Sequence, residues 1–484
     1  MPFTQLEPRS VWDYFWQICQ IPRPSKHEEA ILTWLSVFAK RQGLTCHSDA
    51  AGNLRIDKPA SAGFEMSPTV ILQAHVDMVC EKHSHVSHDF FTQPIKPRIN
   101  GEWVMANGTT LGADDGIGMA AILAVLADNT LVHGPLEALF TVDEETGLTG
   151  AFALSDQFLS GKRLINLDSE DEGELFIGCA GGIDTTARFS AIPVAATPGR
   201  NAYRIALSGL KGGHSGDDIH RGRGNAIHIL SSALLSLSAH IPFELARFEG
   251  GHLRNAIPRE ASAVLLPEPG REEGLREFLN DFLQRESLAL PEDPGLLWQI
   301  DPAEFPERVV DSETSRDLLE SLVGCPNGVI AWSEVMEEVV ETSTNLASVK
   351  MEAPLEFRVV TSQRSFVDAN KRELALRIRT LFEVAGASAV SGEGYPGWEP
   401  NPSSQLLALA KEAYSELFAL EPKVRAIHAG LECGLFLEKY PDLDMISFGP
   451  TLRDVHSPDE KLHISSVDKF YRLLLHLLRK SAEA

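Results

Sequence analysis

Short apolar runs that stop at acidic or histidine residues recur between residues 69 and 170, and a last one precedes residue 456. TVILQAHVDMV (69–79) is rich in β-branched residues and opens with continuous apolar character, as a strand buried on both faces does. PLEALFTVDEE (135–145) and KRLINLDSE (162–170) repeat the form and finish in carboxylates. DGIGMAAILAVLADN (115–129) reads as a helix packed on the sheet. Residues 10–42 read as helical. Within them SKHEEAILTWLSVFAKRQG is expected to open on a capping box of Ser25 and Glu28 and to stop at Gly43. Strand, charged loop and helix in succession is the α/β pattern, and functional groups in open α/β sheets gather at the carboxyl ends of strands.

Near residue 186 the character changes. AYRIALSGLKGGHSG gives a strand and a glycine-rich turn, and residues 222–240 a helix. RNAIPREASAVLLPE reads as paired strands, 345–364 as strand-like and 368–386 as a helix. The Glu- and Pro-rich stretch 266–312 is expected to contain exposed loops. GEGYPGWEPNPSS (392–404) reads as a linker. After it come a helix, two short strands and a closing amphipathic helix. The expected organisation is a discontinuous first domain, residues 1–186 and 398–484, interrupted by an inserted domain, residues 187–397.

The 484 residues suffice for two domains and a large core. The formal net charge of -25 would repel a phosphate backbone, so nucleic acid is not an expected partner. Six cysteines, at 19, 46, 80, 179, 325 and 433, form no Cys-x-x-Cys pair and fit reduced core thiols. The first residues lack a basic-then-apolar leader, and no uncharged apolar run reaches about 18 residues. A cytoplasmic protein with no membrane association is expected.

The acids and histidines at the strand ends suit a two-metal hydrolase. In HVD, positions i and i+2 point to one side of a strand, so His75 and Asp77 can face one site. Asp77 can then accept a hydrogen bond from the ring nitrogen of His75 that binds no metal. In GADDG, Asp114 is the candidate bridging carboxylate, and Asp115 suits the helix start. In VDEE, crowded acids need a cation or a proton. Glu144 is the candidate general base there and Glu145 a ligand. In NLDSE, Asp168 is favoured by its position at the strand end, with Glu170 in reserve. HSPDE offers His456. The cluster His83, His85 and His88 lies in polar, loop-like sequence and is expected to be exposed.

These stretches, together with IPRPSKHEE, LQAHVDMVCEK, FTVDEETGLTGA, GLKGGHSG, RNAIP, ETSTNL, YPGWEPNP, IHAGLECG and ISFGP, carry a family likeness. The chain resembles the bacterial aminoacyl-histidine dipeptidases, members of the co-catalytic zinc peptidases that include aminoacylase and carboxypeptidase G. The resemblance implies two Zn2+ per subunit, with Mn2+ or Co2+ as possible substitutes. His75, Asp114 and Asp168 would hold one ion, and Asp114, Glu145 and His456 the other. Asp77 would orient His75, and Glu144 would be base and acid. The inserted domain would be a lid or dimerisation domain, which implies a homodimer. From it His214 would aid the oxyanion, and Asn255 and Arg364 would contact polar groups of the substrate or its carboxylate. Glu432 would meet a free amine. Two departures stand out: Asp115 where the family has Asn, and Asp454-Val455 where it has Gly-Ala.

The fold expected is thus α/β, a discontinuous zinc-peptidase catalytic domain with a mixed central sheet and helices, plus an inserted α+β domain. The activity expected is hydrolysis of unblocked dipeptide substrates, Xaa-His preferred. Two alternatives use the same metals: a broad-specificity dipeptidase and an N-acyl-amino-acid deacylase. A binding protein on a peptidase scaffold would have lost ligands or base, and all are present.

Overall fold

The apolar run at residues 69–79 forms strand Val70–His75, every residue of which is buried. In the computed structural model, which describes residues 3–353 and 355–484, this strand sits inside an eight-stranded sheet. The strand order is Thr45–Ser48, Leu54–Lys58, Leu136–Thr141, Val70–His75, Arg163–Asn166, Asp444–Ser447, Glu174–Cys179, Lys423–Ile427. Leu136–Thr141, Val70–His75, Arg163–Asn166 and Asp444–Ser447 run parallel to their neighbours, whereas Leu54–Lys58 and Glu174–Cys179 join antiparallel. The sheet is therefore mixed. Register brings His75 beside Thr141, Gln73 beside Asn166 and Asn166 beside Ser447, so four parallel strands end along one edge.

Helix Ala113–Ala127 is buried along nearly its whole length, as a helix apolar on every side beyond its two opening aspartates must be. Helix Ile464–Glu483 buries Val467, Phe470, Tyr471, Leu474, Leu477 and Leu478, the three-and-four spacing of one helical face. The expected capping box does not form. Helix Glu29–Gln42 starts without a side-chain cap, because Ser25 and Glu28 are engaged elsewhere: Ser25 Oγ donates to Asp77 Oδ2, and Glu28 Oε1 accepts from the Asp143 amide. The segment 10–42 is two helices, Arg9–Cys19 and Glu29–Gln42.

The chain divides into two compact units. The first comprises the chain to Gly178, Trp398–Ala426 and Leu431–Ala484, and the second Cys179–Gly397 with Ile427–Gly430. The second unit has a nine-stranded sheet containing the long pair Val340–Ala353 and Glu356–Ser365. Its core joins Phe248, Phe357 and Val359 of the strands to Ile227, Leu230, Ile378 and Phe382 of the helices. The stretch 266–312 is more ordered than its polarity suggests. It contains helix Glu272–Ala289, which buries Leu275, Leu279 and Phe282, and strand Leu297–Pro302.

Candidate metal centre

The edge where the parallel strands end gathers the acids and histidines of the first unit. His75 closes its strand, and the next residue, Val76, still donates its amide to Thr141 O. Asp77 therefore faces the same side as His75, and its Oδ1 lies 3.4 Å from His75 Nδ1. Asp77 also accepts the amides of Glu144 and Glu145 at 3.0 and 3.2 Å, which ties the base candidate to the strand end. Asp143, at φ 51°, turns the chain out of the strand into that pair of glutamates.

The ligand candidates fall into two sets that share Asp114. His75 Nε2 is 2.9 Å from Asp114 Oδ1 and 3.4 Å from Asp168 Oδ1. His456 Nε2 is 3.2 Å from Asp114 Oδ2 and 3.0 Å from Glu145 Oε2. Each oxygen of Asp114 thus faces a different imidazole. Asp115, joined to Asp114 by a cis peptide, turns away and accepts the Gly118 amide. Glu170 has no such contact with either imidazole among the described residues and is pushed up to about 8, by burial first and then by Asp114 and Asp168. Of the three loop histidines, His83 is half-buried and its ring stacks with that of His85.

Burial works against a charged His75, yet Asp168, Asp114 and Asp77 outweigh it and hold the imidazole well above its ordinary pKa. His456 is pushed up to about 11 by its bonds to Asp114 and Glu145. Glu144 is raised well above the carboxylate range, by burial first and then by Asp168 and Glu145. So much negative charge at a buried edge calls for cations, whether protons or metal ions.

A polar row lies one step down the strands around Glu432, and its other members were missed by sequence reasoning. Thr141 Oγ1 and Gln73 Nε2 donate to Glu432 Oε2, and Asn166 Nδ2 donates to Gln73 Oε1. Ser447 Oγ bonds Asn166 Oδ1 and Ser169 Oγ. Gln73 and Asn166 precede His75 and Asp168 by two residues, and that spacing was the available signal. Glu432 is fully buried, with Oε1 unpartnered.

In the second unit, His214 pairs with Ala256 across a short ladder, and the Ser215 amide donates to Asn255 O. Arg364 lies directly opposite Ser343. Ser343 Oγ meets His428 Nε2 at 2.7 Å, and Arg364 Nη1 reaches Tyr395 OH at 3.3 Å. Gly216 has no room for a side chain, since a Cβ there would sit 2.1 Å from His428 O. Arg364 Nε, His428 Nδ1, Asn345 Oδ1 and Ser215 Oγ are buried without a hydrogen-bond partner among the described residues. His428 and Asn345 were also missed: neither stands out in its local sequence, and each gains meaning only across the sheet.

Residues 71–480 match peptidase family M20/M25/M40. The chain belongs to this family. It is 43% identical to the cytosol non-specific dipeptidase of Escherichia coli strain K12, over 99% of this chain and 98% of that protein. It is 42% identical to the aminoacylhistidine dipeptidase of Vibrio alginolyticus, whose crystal structure superposes with a TM-score of 0.92, over 99% of this chain and 98% of that one. A tripeptidase from Staphylococcus aureus, 16% identical, shares the fold at a TM-score of 0.57, over 99% of this chain and all of that one.

For this M20/M25/M40 peptidase, the side chains fit the metals that the family implies. Among the described residues, two groups bring ligand atoms within 4.8 Å of one another: His75, Asp114 and Glu145, and Glu28, Asp77 and Asp143. The second group is already supplied with protein donors. Glu28 Oε1 takes the amides of Lys26 and Asp143, and Asp143 takes the hydroxyls of Thr146 and Thr149. Asp77 takes Ser25 Oγ and two amides. The first group, extended by Asp168 and His456, is not so supplied, and Glu145 Oε1 is buried with no partner. Imidazole and carboxylate donors around one shared aspartate suit a dinuclear zinc-type centre.

Proposed function

We propose that the chain hydrolyses unblocked dipeptides, Xaa-His among the preferred substrates, with two Zn2+ ions or their Mn2+ or Co2+ substitutes. The observation that carries this reading is Asp114, whose two oxygens face His75 and His456 separately. His75, Asp114 and Asp168 would hold one ion, and Asp114, Glu145 and His456 the other. Bound there, the ions would polarise the scissile carbonyl and lower the pKa of the attacking water.

The chain's own residues do the rest. Asp77, whose Oδ1 lies 3.4 Å from His75 Nδ1, would orient that ring, and it holds the amides of Glu144 and Glu145. Glu144 accepts the proton of the attacking water as the new C–O bond forms. It returns that proton to the leaving amine as the C–N bond breaks. His214 donates to the developing oxyanion. Arg364 and Asn255 hold the substrate's carboxylate and polar groups. The unpartnered Glu432 Oε1 is the atom offered to the free amine. In this proposal residues 1–186 and 398–484 carry the chemistry and 187–397 form the lid or dimerisation domain. A homodimer through that domain would cover apolar residues exposed on it, such as Trp332 and Val335. A cytoplasmic setting is proposed with it, in line with the name of the Escherichia coli relative.

A second reading, broad dipeptide specificity, is favoured by the name of that same relative, a non-specific dipeptidase. One panel separates the readings: zinc-loaded enzyme with Ala-His, Ala-Leu, Gly-Gly and N-acetyl-His, each with a chelated control. Chelator-sensitive cleavage of Ala-His above the others supports the first. Equal cleavage of all the free dipeptides supports the second. Cleavage confined to N-acetyl-His would overturn both in favour of a deacylase.

A further inference from the structure

Two buried charged residues hold the segment that bears Asp114, and neither is a metal ligand. Glu460 is 2% exposed. Its Oε2 accepts the amides of Leu111 and Gly112 at 2.7 and 2.9 Å, and its Oε1 those of Ala113 and Asp114 at 2.8 and 3.4 Å. Four consecutive amides thus end on one carboxylate, which offers about four lone-pair sites and no donor when ionised. Arg23 is also 2% exposed. Its Nη1 donates to Val76 O and Asp77 O at 2.9 and 2.5 Å, and its Nη2 to Gly112 O. Gly112, at φ +69°, lets the guanidinium in, because a Cβ there would lie 2.7 Å from Nη2.

These bonds connect three stretches far apart in sequence. Glu460 shares a short loop with His456, and its own amide closes a turn onto Ser457 O. Its side chain lands on the residues that lead into Asp114. Arg23 joins those same residues to the strand end that carries His75 and Asp77. The anion collects the N–H groups of residues 111–114 and the cation collects a carbonyl of the same segment.

We infer that Glu460 and Arg23 are positioning residues of the dinuclear centre, fixing Asp114 relative to His456 and to His75. The inference rests on the metal reading proposed above. A carboxylate that bridges two ions tolerates little displacement, since each of its oxygens serves a different ion. Helix capping alone would need one or two amides accepted, not four, and would not need the acceptor to sit on the loop of another ligand.

The test uses the full-length protein freed of metal. Zn2+ is titrated in competition with a chromogenic chelator, and Co2+ binding is followed by its visible absorption, in wild type, Glu460→Gln, Glu460→Asp and Arg23→Lys. Glu460→Gln puts an NH2 group where two amides now donate, at almost unchanged volume. Expected are two ions in wild type, a 10- to 100-fold weaker second ion in Glu460→Gln, an altered Co2+ spectrum, and kcat reduced more than KM. Glu460→Asp, which keeps the charge, restores part of the affinity. A folded Glu460→Gln protein with both affinities and the Co2+ spectrum of wild type overturns the inference, even if it melts earlier. Should that variant not fold, Arg23→Lys decides on the same readouts. A wild type that binds fewer than two ions instead overturns the metal reading, and this inference with it.

Discussion

Asp114 Oδ2 lies 3.2 Å from His456 Nε2, although 342 positions separate the two residues. The other oxygen of Asp114 faces His75. The histidine and the aspartate therefore differ in what their loss removes. His456→Ala deletes a proposed ligand of one set, whereas Asp114→Ala deletes the group common to both. After extensive dialysis against Zn2+-free buffer, His456→Ala is expected to retain about one ion and Asp114→Ala fewer. Elemental analysis of the dialysed proteins is the measurement. Equal retention in the two variants would mean that Asp114 does not bridge.

Glu144 stands apart from the ligand sets and is tied to Asp77 by its amide alone. Glu144→Gln keeps the shape and removes the proposed base. Turnover of a dipeptide is expected to fall about 10²- to 10⁴-fold, with bound zinc unchanged. Near-normal kcat in the zinc-loaded variant would remove Glu144 from the mechanism.

Removing metal should cost stability as well as activity. Without cations, Asp168 is pushed up to about 7, by burial first and then by Asp114, and Glu144 is raised too. A native state that binds ions the unfolded chain does not hold gains about 2.7 kcal/mol when free ion is a hundredfold above Kd. The chelated protein should melt several degrees lower and recover on adding Zn2+. Identical melting with and without metal would argue against a metal site in the folded state.

The elements at this edge were legible because they obey local rules. Strand Val70–His75 announces itself by β-branched residues, and the two-residue period puts His75 and Asp77 on one side. The mixed α/β architecture follows from the same runs. Partners were not legible. Ser25 and Glu28 satisfy every local rule for a capping box, yet tertiary acceptors and donors at Asp77 and Asp143 take them. Glu460 and Arg23 look like ordinary polar residues until residues 111–114 fold against them. The helix Glu272–Ala289 is a different kind of miss. Its Leu275, Leu279 and Phe282 are at helical spacing, but the surrounding glutamates and prolines masked the period.

Arg364 carries an unpartnered Nε in a buried setting, 8% exposed, beside the Ser343–His428 pair. A lysine there keeps the charge and loses the planar fork that matches a carboxylate. Losing one charge-assisted hydrogen bond of about 1.5–3 kcal/mol should raise KM for a free dipeptide roughly 10- to 100-fold. The corresponding dipeptide amide, with no carboxylate, should lose much less. Steady-state kinetics on the two substrates decide the matter. Equal losses on both would mean that Arg364 does not read the carboxylate.

His428 offers a stability test independent of catalysis. Burial lowers its pKa most, the Arg364 guanidinium adds to this, and Asp217 only partly opposes it, leaving the ring at about 3 against an ordinary 6.5. The native ring is thus neutral where the unfolded one is protonated. Between pH 6.5 and 3 the unfolded state binds the extra proton, so this contribution to stability is full above pH 6.5 and shrinks as pH falls. The slope is about 1.4 kcal/mol per pH unit. His428→Gln removes the titrating ring while its amide can still meet Ser343 Oγ. At neutral pH the variant should be the less stable, since it loses the edge-on contact with Phe366. Between pH 6.5 and 5 its deficit should narrow by about 2 kcal/mol. Paired thermal melts across that range measure it. The groups that remain in both proteins, Asp217 among them, affect both curves and largely cancel in the difference. A deficit that stays constant from pH 7 to 5 would mean that the native ring titrates as the unfolded one does and that burial does not lower its pKa.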